Sequence, residues 1–120
     1  MVPGFMRQDT CRYSVEVPII RLDEYLRDQE VNQIRVIKID AEGYEFPVLK
    51  GLSDFFENAK SLPIIICEIA PAAYPLLGYT LQDLGNYLRG FNYYAYNLSA
   101  KSGIDITKLD RTTNVLFLNN

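Results

Sequence analysis

The chain has 120 residues, 48% of them hydrophobic and 22% charged, with a net charge of −3, no histidine and two cysteines. That length suits one globular domain able to bury a core without staples, and the absence of clustered Lys or Arg speaks against nucleic acid as a partner. Cys11 and Cys67, 56 positions apart with no CxxC spacing, do not form a zinc motif.

The first fourteen residues, "MVPGFMRQDTCRYS", combine neither a basic start with a long apolar core nor any motif, and they stay unassigned. The longest apolar region, "LPIIICEIAPAAYPLL", is interrupted by Glu68 and prolines, so no membrane span is expected. A cytoplasmic protein with a buried thiol at Cys67 is the reading.

Residues 14–22, "SVEVPIIRL", are rich in branched residues but contain Pro18, which predicts an edge or irregular strand. "DEYLRDQEV" then predicts a short helix capped by Asp23, with Tyr25 and Leu26 on its inner face. "IRVIKID" predicts a strand buried on both faces and ending at Asp40. From Glu45 to Asn58 the spacing of Val48, Leu49, Leu52, Phe55 and Phe56 predicts one helix, with Pro47 in its first turn and Gly51 tolerated inside it.

"LPIIICEIAP" predicts a second buried strand ending at Glu68. Thr80 to Arg89 predicts a helix with Thr80 and Asp83 as a capping pair, Leu81, Leu84 and Leu88 inward, and Gly90 as its stop. "FNYYAYNL" and "TNVLFLNN" predict an antiparallel pair with a long loop, and alternation turns Phe91 and Tyr93 away from Tyr94 and Tyr96. The whole reads as an α/β fold, a mostly parallel sheet with helices and an antiparallel carboxyl-terminal strand.

In open parallel sheets ligands bind beyond the carboxyl ends of the strands. Two successive strands here end in acids, "KIDAEG" and "ICEIAP", which predicts Asp40 and Glu68 about 5 Å apart on neighbouring strands. Asp40 suits a general base, and Glu42 either that role or helix capping. Gly43 suits a turn or the close approach of a ligand, and Glu45 reads as a first-turn acid. Asp40 and Glu68 together could hold Mg²⁺ through oxygen ligands alone, with backbone N–H groups as the other partners open to Glu68.

The strings "PIIRLDEYL", "IRVIKIDAEGYEFPVLKG", "LPIIICEIAP", "LGNYLRGFNYYAYNL" and "NVLFLNN" resemble, in order, the carboxyl-terminal half of the FkbM-type S-adenosylmethionine-dependent methyltransferases. The resemblance runs from about Val15 to the chain end, and K-I-D-A-E-G-Y-E followed by V-L-K-G carries it most specifically. It implies a partial Rossmann-like class I methyltransferase fold, strands four to seven of seven, and methyl transfer to a hydroxyl oxygen of a saccharide, lipid-linked or polyketide-type acceptor. It places Asp40, Glu42 and Glu68 in the catalytic set, and Asp40 and Gly43 beside S-adenosylmethionine.

None of the glycines forms the family's GxGxG loop. The chain is therefore expected to be part of a longer enzyme, inactive alone, and to self-associate through the edge of the "VIKID" strand. The alternative is a non-catalytic assembly module that keeps the sheet but not the cofactor site.

Overall fold

A computed structural model describes residues 13–119. In chain order the elements are α1 (Leu22–Asp28), β1 (Val36–Ile39), α2 (Glu45–Lys50), α3 (Ser53–Asn58), β2 (Ile64–Ile69), α4 (Tyr74–Leu77), α5 (Leu81–Arg89), β3 (Tyr93–Asn97) and β4 (Thr113–Asn119). Single 3-10 turns at Pro71–Ala73 and Ile106–Lys108 complete the described chain.

The four strands form one sheet in the order β1-β2-β4-β3. β1 runs parallel to β2, β4 is antiparallel to β2, and β3 is antiparallel to β4. The expected β3–β4 antiparallel pair is present. The expected mostly parallel sheet is not, because β4 lies between β2 and β3 and makes two of the three pairings antiparallel. The domain is a small α/β unit with a mixed sheet.

Alternation decides which side of the sheet is filled. Ile39, Ile65, Cys67, Ile69, Val115 and Phe117 join Leu49, Leu52, Phe56, Leu84 and Leu88 of the helices in one core. The opposite parity is wetter on the outer strands, with Val36 52% and Ile64 41% exposed. β1 is thus buried on one face, not on both as its composition suggested. Lys38 lies on the open face, where its charge stays in water.

Three local expectations change. Residues 14–22 join no strand; up to Arg21 they run without regular structure and expose Val15, Val17, Ile19 and Ile20, while Leu22 begins α1. Tyr25 is exposed, leaving Leu26 as the inner residue of α1. The helix expected over Glu45 to Asn58 is two helices, broken at Gly51 and Leu52. There the Gly51 carbonyl accepts the Asp23 N–H (2.9 Å), a bond from α1 that competes with continuing the helix, and Leu52 is fully buried in the turn.

Asp23 explains how α1 is held. It is the second residue of α1, not its cap, and it is buried. Its carboxylate accepts from the Arg21 guanidinium at 2.8 and 3.1 Å and from the Asp54 N–H at 3.2 Å, so it caps α3 instead of its own helix. Arg21 also donates to Ser53 Oγ (3.0 Å). The hydrogen bond from Arg21, ahead of the opposing cost of burial, holds the Asp23 carboxyl below the usual carboxylate range.

α5 follows its sequence closely. Thr80 Oγ1 accepts the Asp83 N–H and Asp83 returns the bond to the Thr80 N–H, each at 3.0 Å, while Leu84 and Leu88 are fully buried. Phe56 meets Phe91 and Tyr93 at ring-centre separations of 5.3 and 5.9 Å, and Tyr93 donates to the Pro63 carbonyl (2.6 Å). The aromatic run is core packing on the Phe91 and Tyr93 side, as alternation required.

Candidate functional site

The site lies at the carboxyl ends of the two parallel strands. Because Ile39 pairs with Cys67, the residues that follow, Asp40 and Glu68, leave the sheet side by side. Asp40, Glu42, Glu68, Ala70 and Thr112 line a cavity of about 150 Å³. Asp40 and Glu42 are exposed and Glu68 is half-buried. Glu42 sits there in a left-handed conformation (φ 49°), which a non-glycine residue adopts at a cost of about 1 kcal/mol or more.

None of these three carboxylates makes a side-chain hydrogen bond or ion pair with another described residue, so the fold does not use them. The capping role open to Asp40 and Glu42 is not taken up: α2 has Tyr44 at its N-cap position and no side-chain capping bond. The backbone N–H groups considered for Glu68 go elsewhere as well. The Ala70 N–H, the nearest candidate, belongs to Glu45.

Glu45 is the residue that sequence reasoning misjudged. It is fully buried at the start of α2. One carboxylate oxygen accepts the Gly43 N–H; the other accepts the Ala70 N–H (3.0 Å) and the Tyr74 O–H (3.5 Å). It ties the turn after β1 to the loop after β2 and so fixes the separation of Asp40 and Glu68. Burial first, and the Glu45 charge second, push the Tyr74 hydroxyl well above its ordinary range, keeping it a donor. The available signal was its place between Tyr44 and Phe46, at the junction of an acidic turn and an apolar helix.

Gly43 has φ 109°, and a Cβ there would stand 2.4 Å from the Ala73 Cβ. The expectation of a turn glycine with a close approach is met, and what approaches is Ala73. Its N–H is engaged by Glu45 and the residue is buried, so Gly43 offers no exposed surface for the cofactor contact expected of it.

Cys67, one residue before Glu68, is a fully buried free thiol. Burial, then the charges of Glu45 and Glu68, push its pKa far up, which keeps it protonated and unreactive. Cys11 lies outside the described residues. Among the described residues no three acid or cysteine side chains group closely enough to hold a metal ion, so the arrangement gives no support to the Mg²⁺ expected from Asp40 and Glu68. A larger cavity of about 580 Å³ lies between α1 and α3, lined by Leu26, Val31, Phe55 and Ala59 under Arg27 and Asp54. None of the strand-end acids reaches it.

The methyltransferase FkbM domain matches residues 5–95, which takes in β1, β2 and every acid of the site. The chain belongs to the FkbM methyltransferase family. The match begins ahead of Val15, where the resemblance was read to start, and ends at Ala95, before β4. Comparison with curated proteins gave no match, and neither did comparison with solved structures. Among the described residues no helix is long and apolar enough to cross a membrane.

For an FkbM protein the implied cofactor is S-adenosylmethionine. The donor set at the strand ends, acceptor-only carboxylates, suits a group carrying a sulfonium, an ammonium and ribose hydroxyls. At about 150 Å³ the cavity is well below the roughly 300–1,000 Å³ of ligand pockets, so these residues fit the reactive end of such a molecule and not its full length.

Proposed function

We propose that this FkbM-family chain carries the acceptor side of an S-adenosylmethionine-dependent methyl transfer to a hydroxyl oxygen. The acceptor class is a saccharide, lipid-linked or polyketide-type alcohol. The observation that carries the reading is the set Asp40, Glu42 and Glu68 at adjacent strand ends, left unused by the fold while a fourth acid, Glu45, is spent on holding them in place.

The cofactor supplies an electrophilic methyl carbon. The protein has to hold an alcohol oxygen in line with that carbon and receive the proton the oxygen sheds. Asp40, foremost at the end of β1, takes the proton. Glu68, on the neighbouring strand end, accepts a hydrogen bond from a second hydroxyl and sets the angle of approach. Glu42 adds negative charge that favours the sulfonium, and Asp40 is the carboxylate placed to touch the cofactor. Gly43 contributes through the turn it permits. A reducing cytoplasm agrees with the buried thiol at Cys67.

The test is transfer of a labelled methyl group from S-adenosylmethionine to a panel of hydroxyl acceptors, with the bond formed then challenged by alkali. An alkali-stable ether is expected, with Asp40→Ala lowering turnover roughly 10²-fold or more, the usual scale for a lost general base, and leaving the circular dichroism unchanged. An alkali-labile ester, or full activity in Asp40→Ala, would remove this mechanism. Absence of transfer to every acceptor, together with stable self-association, would favour the assembly module.

A further inference from the structure

We propose that residues Val15–Ile19 of one copy of this chain form a parallel strand on the outer edge of β1 of a second copy, reciprocally, giving a two-fold dimer. The segment carries an alternating stripe that the single chain leaves in water: Val15, Val17 and Ile19 are 73, 70 and 93% exposed. β1 is a terminal strand of the sheet, and its open-face Val36 is 52% exposed. An unpaired strand edge and an unpaired strand-like segment in one chain are complementary surfaces.

Backbone parity fixes the orientation. The Ile64 N–H donates to the Arg35 carbonyl (2.9 Å), so residues 35, 37 and 39 turn their backbone groups toward β2, and Val36 and Lys38 turn theirs outward. Pro18 has no N–H and must face away from the ladder, which leaves Val15, Val17 and Ile19 to make the bonds. In a parallel pairing, residues that bond to Val36 and Lys38 sit beside Ile37 and Ile39, so Val15 and Val17 extend the helix-covered apolar face. Glu16 then stands beside Lys38 on the open face, an opposite-charge pair. An antiparallel pairing would instead set Glu16 beside the isoleucines and Val17 beside Lys38, burying a carboxylate without a partner.

A second copy is the occupant because Arg21 ties the end of the segment to Asp23 and Ser53 at the α1–α3 junction, where the single chain holds it clear of its own edge. The arrangement involves none of Asp40, Glu42 or Glu68 and stands independently of methyl transfer.

Sedimentation equilibrium of the full chain tests it. The expected result is a dimer at micromolar concentration, with Val17→Pro weakening association roughly tenfold or more because each dimer loses a ladder bond at both ends. Val17 is exposed in the single chain, so circular dichroism should not change. Glu16→Lys and Lys38→Glu should each weaken the dimer, and the two together should restore it. A monomer at all concentrations, a dimer indifferent to Val17→Pro, or a charge exchange that fails to restore association would each overturn the proposal.

Discussion

At the scale of single residues, four acids within six positions of one another or across one strand pairing are sorted by their surroundings. Asp40, Glu42 and Glu68 face a cavity, while Glu45 is buried with three donors on its two oxygens. Glu45→Ala would leave two backbone N–H groups and the Tyr74 hydroxyl without their acceptor. At about 1–3 kcal/mol for each buried group left unsatisfied, the loss is on the order of 3 kcal/mol or more, measurable by urea denaturation. Gly43→Ala combines a left-handed φ with a contact on Ala73 that a Cβ cannot share. A loss of about 2–3 kcal/mol is expected, and retention of wild-type stability would show that the turn can open. The sequence displayed the glycine's need for an unusual conformation. It did not display the burial of Glu45, because nothing local distinguishes a first-turn acid in water from one whose partners stand 25 and 29 positions away.

At the scale of elements, what was legible is what local chemistry decides. α5 has its capping pair and its leucine spacing within ten residues, and β3 and β4 show their alternation directly. The break between α2 and α3 was hidden because its cause is tertiary: the Gly51 carbonyl is taken by α1, and the Asp54 N–H is capped by Asp23. The segment before α1 reads as a strand because its pattern is that of one, yet its partner is not in the described chain. The Asp23 carboxyl titrates below the ordinary range, mainly through its bond with Arg21. Its stabilisation is therefore complete above the unfolded aspartate range, near pH 4, and is lost as pH falls through the lower folded value. Asp23→Asn should be less stable than the wild type at pH 7. The gap should narrow in acid; a constant gap from pH 7 to pH 2 in thermal melts would mean that the carboxylate charge is not what joins α1 to α3.

At the scale of the whole molecule, a mixed sheet of four strands presents two successive acid-tipped strand ends to one side and an unpaired β1 edge to another. The membership in the FkbM family makes methyl transfer the chemistry to test there. The site residues were legible because a strand that stops at a carboxylate must leave the core at that point. The mixed sheet was not, since insertion of β4 between β2 and β3 is a choice of pairing that no single strand records. The most direct measurement is a calorimetric titration of the chain with S-adenosylhomocysteine, the product form of the implied cofactor. The account predicts saturable binding, with a Kd in the micromolar to millimolar range (about −8 to −4 kcal/mol), weakened severalfold by Asp40→Ala. No heat at millimolar ligand, or an Asp40→Ala titration that overlays the wild type, would contradict it.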